Sequence, residues 1–204
     1  MSPAAMVPQT GLRGGGVVVA VVGPSGAGKD SLIAAARRQF AGNSWVVFPR
    51  RIVTRDALPA AEPHETASVT EFDAIEAAGA FSVSWRAHGH AYGIATSMED
   101  DLRHGCVVVI NVSRQVIDAL RRRFERVQVV FVTAEPAVLE ARLRARGRES
   151  DGEIARRVAR AIALGRPSPP VTVIDNSGVL SDAAEVFNGV VSSYAPAGYG
   201  EANR

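Results

Sequence analysis

The segment Gly23-Pro24-Ser25-Gly26-Ala27-Gly28-Lys29 follows the unbroken apolar run 17–22 and leads into a stretch with helical spacing. Few features constrain a fold as tightly, because a strand must deliver the chain to the glycines and a helix must begin directly after them. Gly23, Gly26 and Gly28 let the backbone turn so that successive amides point inward, and the amino end of the helix adds its positive dipole. Such a concavity suits phosphate, and Lys29 brings a mobile positive charge to its mouth. The stretch from Gly23 through Lys29, with Asp30 and Ser31, is therefore the expected site for a nucleoside triphosphate, ATP or GTP. A mere glycine-rich turn would not also require the strand, the lysine and the helix.

One position departs from the motif. Where Ser or Thr is expected after the lysine, to help hold Mg²⁺, the chain has Asp30 and then Ser31. A carboxylate is also a hard oxygen ligand, which makes Asp30 the candidate metal residue, whereas Ser31 points about 100° away around the helix. An acidic residue in a first helical turn also favours the helix dipole, and the sequence leaves both roles open for Asp30.

Beyond the loop, short β-branched runs alternate with longer helical patterns, which predicts an α/β chain with three layers, a mostly parallel central sheet carrying helices on both faces. Strands are expected at 17–22, 45–48, 81–85, 107–110, 127–132 and 171–174. Helices are expected at 29–40, 68–78, 98–104, 114–123, 136–146, 153–164 and 181–194, the second opened by the capping-box spacing Ser68-Val69-Thr70-Glu71. The stretch 56–66 has no apolar period and two prolines, and reads as a loop covering a site. Residues 1–16 read as a disordered leader and 195–204 as a loose tail.

Charge and cysteine content exclude several classes. The net charge of +2, from 23 basic and 21 acidic residues, is too small to argue for nucleic acid, and the arginine-rich helices have no aromatic platform beside them. No apolar stretch approaches the ~20 residues of a membrane span. The single cysteine, Cys106, lies beside the apolar run 107–110; it excludes a disulfide framework, is expected to be buried, and fits a reducing cytoplasm. A monomer and a homodimer both remain open.

The order of further motifs resembles the guanylate kinases across about 17–190, nearly the whole chain. The pieces are GPSGAGKDSL from Gly23 to Leu32, Thr54-Arg55, SVTEF ending at Phe72, Gly89 with Tyr92-Gly93, RLRARGRES from Arg142 to Ser150, Arg157, and Asp175-Asn176. The resemblance implies a P-loop kinase fold over a single domain, 17–194, with a small acceptor-binding region at about 50–95 and a lid at about 142–157. The departures are informative. The glutamate that reads guanine in that family aligns with Val83, its Asp-x-Asp with Asn111-Val112-Ser113, a phosphate-binding tyrosine with His64, and a second loop arginine with Leu58. Valine cannot accept a hydrogen bond from a base.

The set that keeps the phosphate cradle and loses base reading resembles the ribose 1,5-bisphosphate phosphokinases. It comprises Asp30 within GPSGAGKDSL, the run Arg51 to Asp56, Glu62-x-His64, Ser84-Trp85 with Gly89 and Tyr92-Gly93, Asn111-Val112-Ser113-Arg114, and RGRE from Arg146 to Glu149. The resemblance implies transfer from ATP, with Mg²⁺, to a sugar bisphosphate. It points to Arg55, His64, Trp85, Tyr92, Asn111, Ser113 and Arg114 as acceptor residues. Among them, His64 alone could equally be a solvated loop histidine, and Trp85 could stack on a ribose or simply fill the core. Arg142 and Arg146, four apart on one helical face, and Arg157 on the next helix would neutralise phosphoryl charge as a lid closes. Arg142 is accordingly placed with the nucleotide, and Lys29, Arg146 and Arg157 with catalysis. Two rivals stand beside this expectation: a nucleoside monophosphate kinase, and a related binding module without catalysis.

Overall fold

A computed structural model describes residues 15–54, 64–87, 89–147, 150–163, 165 and 167–196. Its core is a five-stranded sheet in the order β2-β7-β1-β8-β9, formed by β1 (Val17–Val22), β2 (Val46–Val47), β7 (Val107–Asn111), β8 (Val127–Thr133) and β9 (Thr172–Asp175). Every neighbouring pair in it is parallel. Buried on both faces, β1 can be apolar throughout, and its six side chains divide by alternation. Val17, Val19 and Val21 join a core with Leu32, Ile33 and Ala36 of α1 (Lys29–Gln39) and Ala183, Ala184, Phe187 and Val191 of α7 (Leu180–Ser192). Val18, Ala20 and Val22 join a second core with Met98 and Leu102 of α3 (Met98–Arg103) and Ile117 and Leu120 of α4 (Ile117–Arg123).

That second core also receives a smaller sheet in the order β4-β3-β6-β5, made of β3 (Arg51–Val53), β4 (His64–Thr66), β5 (Phe81–Ala87) and β6 (His90–Ala95). The strand expected at 81–85 thus belongs to this sheet rather than the central one, where it pairs antiparallel with β6. Residues 64–66, expected as loop, form β4, because parallel pairing with β3 supplies hydrogen bonds that no local apolar pattern announces; 56–63 lie outside the described residues. The helix α2 (Val69–Ala77) starts on the expected capping box, with Glu71 donating its backbone amide to Ser68 Oγ at 3.2 Å and Ser68 its own to Glu71 Oε2 at 2.8 Å. The expected helix at 114–123 is split, its first turn Arg114–Val116 being tighter than α.

The two sheets are tied by a buried ion pair as well as by apolar packing. Glu99 of α3 accepts from Ser82 of β5 at 2.7 Å and from Arg123 Nε of α4 at 3.1 Å, and both charged residues are almost wholly buried. Breaking one side of such a pair costs roughly 3–5 kcal/mol, which makes it a strong constraint on how the small sheet sits. Cys106 is half-buried rather than buried; its thiol faces the Ser44 carbonyl at 3.6 Å, and partial burial, with Asp101 nearby, pushes it above the usual thiol range. Among the described residues, no helix is long and apolar enough to cross a membrane.

Candidate phosphoryl-transfer site

The glycine loop runs from the end of β1 to Lys29, the first residue of α1, and Gly28 caps the helix in a left-handed conformation, φ +88°. A Cβ on Gly28 would lie 2.2 Å from Asn176 Nδ2, so the position demands glycine twice over, for its φ and for the space. Asn176 follows β9 and donates to the Ala27 carbonyl at 2.7 Å, locking the loop from behind. It is held in turn by its own backbone bond to Thr133 at 2.8 Å. The Lys29 ammonium donates to the carbonyls of Gly23 at 2.9 Å and Pro24 at 3.0 Å, which keeps it over the loop.

One further strand and two helices converge here. At the end of β7, Asn111 Nδ2 donates to Asp30 Oδ1 at 2.6 Å. From α5 (Pro136–Arg146), Leu139 and Leu143 pack near Gly26, and Arg142 Nη1 lies 3.9 Å from the position of a Gly28 Cβ. That nitrogen is buried and has no hydrogen-bond partner among the described residues. A buried cationic donor left unsatisfied is costly, and a phosphate oxygen would satisfy it. From α6 (Asp151–Ala163), Arg157 Nη1 comes within 3.5 Å of Ser25 Oγ at the tip of the loop, long for a hydrogen bond but near enough to set its charge there.

The candidate acceptor residues are more scattered. Arg51 and His64 are register partners on β3 and β4. The Arg51 guanidinium lies 5.9 Å from the Tyr92 ring centre on β6, and Tyr92 stacks on Trp85 of β5 at 5.3 Å with planes 7° apart. Trp85 is buried, with Tyr92 against its face, so the indole serves the core of the sheet. Ser113 accepts from the Gln115 amide at 3.4 Å and caps the tight turn. Arg114 turns from the loop, donating to the Gly165 carbonyl at 2.7 Å with Phe131 beneath it at 5.7 Å; burial, then the nearby Arg160, draws its guanidinium below the ordinary value. Arg146 is exposed at the end of α5. Arg55 lies outside the described residues.

The structure therefore gathers Lys29, Asp30, Asn111, Arg142 and Arg157 around the loop and sets His64, Trp85 and Tyr92 on the small sheet. Asn176 and Arg51 are the residues that the site list from sequence omits. Asn176 directly follows the carboxyl end of β9, the edge strand beside β8, on the side where ligands of parallel sheets bind, and that position is its signal. Val83, at the position of the family's base reader, is fully buried in the second core with Val53, Ile94 and Trp85.

A scan against protein-family models gives no match. Among curated proteins, the ribose 1,5-bisphosphate phosphokinase PhnN of Rhodopseudomonas palustris is 48% identical over 178 residues, covering 87% of this chain and 90% of that protein. The protein of the same name from a Chelativorans species is 48% identical over 174 residues, 84% of this chain and 83% of its own. That from Agrobacterium fabrum is 41% identical over 178 residues, 87% and 97%. Among solved structures, a guanylate kinase from Anaplasma phagocytophilum matches with a TM-score of 0.61 at 18% identity, covering 87% of this chain and 85% of that one, a likeness of fold. With a guanylate kinase-like α/β fold and relatives 41–48% identical along most of its length, the chain belongs to the ribose 1,5-bisphosphate phosphokinase PhnN family.

Proposed function

We propose that this protein transfers the γ-phosphoryl group of ATP to ribose 1,5-bisphosphate, giving 5-phosphoribosyl 1-diphosphate and ADP. An oxygen of the acceptor's 1-phosphate attacks the γ-phosphorus, the bond from that phosphorus to the β-γ bridging oxygen breaks, and ADP leaves. The observation that carries the reading is an intact phosphate cradle combined with a fully buried valine at the base-reading position. The names of the relatives support the same acceptor.

No dedicated nucleophile is needed, so the work is positioning and charge neutralisation. The loop amides from Gly23 to Gly28 hold the β- and γ-phosphates. Lys29 follows the moving phosphoryl group from its perch on the loop carbonyls. Arg142 and Arg157, approaching from α5 and α6, neutralise the equatorial oxygens, with Arg146 joining them when the lid region of about 142–157 closes. On the small sheet and its neighbouring segments, within about 50–95, Arg55, His64 and Tyr92 receive the acceptor's phosphates, and Ser113 and Arg114 border it from the end of β7.

The donor set fits Mg²⁺: a single carboxylate, Asp30, stands in the first turn beside the cradle, and magnesium is commonly held by one or two carboxylates plus substrate phosphates. Held by Asp30, the ion would supply charge neutralisation for the nucleotide's phosphates.

The test is ADP release from ATP and Mg²⁺ with ribose 1,5-bisphosphate and, in parallel, with GMP, AMP and UMP, the product being identified by mass spectrometry. Turnover confined to the ribose compound is expected. Turnover with GMP alone would replace this reading with that of a nucleoside monophosphate kinase, and no turnover with any acceptor would favour a binding module.

A further inference from the structure

The pairing of Asp30 with Asn111 joins residues 81 apart in sequence, and it decides what each can do. Asp30 sits in the exposed first turn of α1, where an unrestrained aspartate samples several rotamers. Asn111 is 5% exposed and ends β7, whose residue pairing puts Val21 of β1 beside it, one residue short of the glycine loop's start after Val22. A carboxylate only accepts, so the amide must turn its nitrogen toward Asp30 Oδ1, as it does at 2.6 Å. The other carboxylate oxygen keeps no hydrogen-bond partner among the described residues.

We propose that Asn111 is a positioning residue, an amide that fixes the Asp30 carboxylate so that its second oxygen is presented to the divalent ion accompanying the nucleotide. An ionised acid at position 111 could not donate to Asp30, since a carboxylate only accepts. A buried amide orients the carboxylate and leaves its charge whole, much as outer-shell partners orient metal ligands. The expected contribution of Asn111 thereby moves from the acceptor to the metal. The inference rests on the glycine loop being a nucleotide site, and the experiment keeps the two apart.

ADP affinity is measured by calorimetry in EDTA, and the affinity of the protein–ADP complex for Mn²⁺ by the resonance of the free ion. Wild type, N111L, D30N and the double variant are compared, with N111S beside N111L because position 111 is buried. N111L, N111S and D30N are each expected to keep binding metal-free ADP, D30N at least as tightly as wild type because it removes a negative charge beside the phosphates, and to lose about tenfold in Mn²⁺ affinity, with no further loss in the double variant. Mn²⁺ affinity unchanged in D30N or in the folded Asn111 variants, or additive losses in the double variant, overturns the positioning role while ADP binding in EDTA stands. A wild-type protein that binds no ADP in EDTA overturns the nucleotide-site reading and this inference with it.

Discussion

The candidate nucleotide site on the five-stranded sheet rests on backbone geometry, while the candidate acceptor site on the four-stranded sheet rests on side chains from separate strands. Around the glycine loop, positive φ angles, a helix amino end and the Asn176 lock on Ala27 define the cradle before any charged group is considered. On the small sheet, Arg51, His64 and Tyr92 come from three different strands, with Trp85 of the fourth packed into its core. The difference teaches where a family can change its acceptor. A backbone cradle tolerates little, whereas a few side chains on a small sheet can be exchanged without touching it.

The largest effect should come from the cradle. Lys29→Ala removes the one mobile charge held over the loop carbonyls and should lower turnover by at least roughly 10²–10³-fold, with the fold intact by circular dichroism. Full activity in that variant would break the comparison, because transfer would then not depend on the loop.

The small sheet offers the opposite prediction. Val83→Glu introduces the base-reading residue type of the guanylate kinases at a position with no exposure, among Val53, Ile94 and Trp85. Burying an unpaired carboxylate there should cost roughly 3 kcal/mol or more, seen as a fall in Tm, and should create no GMP turnover. GMP phosphorylation by a folded Val83→Glu protein would show that the acceptor site retains a base pocket.

Two glycines sharpen the contrast further. Gly28→Ala meets both a left-handed φ and Asn176 Nδ2 at 2.2 Å, and should cost about 2–3 kcal/mol together with nucleotide binding. Gly79, after α2 on the acceptor side, has φ +68° but nothing within 4 Å of an added Cβ, so Gly79→Ala should cost only about 1 kcal/mol and leave ADP affinity unchanged. Urea denaturation with and without ADP separates them.

The same division explains what could be read from sequence. The loop is legible because its motif encodes local backbone conformations, and β1 because complete burial makes it apolar throughout. The strands β3 and β4 are not, since they have three residues each, carry Arg51, His64 and Glu65, and owe their form to pairing outside their own segments. Nor is β6, which is six residues long and only two residues after β5 but has its apolar run broken by His90 and Gly93. The link between Asp30 and Asn111 crosses two strands and has no local trace. Helical spacing puts Arg142 and Arg146 on one face, but a residue four further along is displaced about 6 Å down the axis. Arg142 therefore meets the loop while Arg146 passes beyond it into solvent.

The smallest expected effect lies on the outer face of the small sheet. Glu76 of α2 accepts from Arg86 Nη2 at 2.7 Å and from Ser84 Oγ at 2.5 Å, both on β5. The Arg86 hydrogen bond, against a partial opposing effect of burial, holds the Glu76 carboxyl below its ordinary value of 4.5. A depressed folded value means that the unfolded chain takes up the proton first as pH falls. The charge of Glu76 therefore stabilises the fold fully above about pH 4.5, and that stabilisation is lost as pH drops through the lower folded value. Because Arg86 is 41% exposed, solvent screens the pair, and Glu76→Gln should cost only about 0.5–1 kcal/mol at pH 7. As pH falls below about 4.5 the difference between the two proteins in urea should shrink, since the native side chain loses its charge on passing its lowered folded value. A loss that stays the same as the pH is lowered would assign the contribution to packing and neutral hydrogen bonding. The docking of α2 on β5 would then owe as little to charge as the apolar core beneath it.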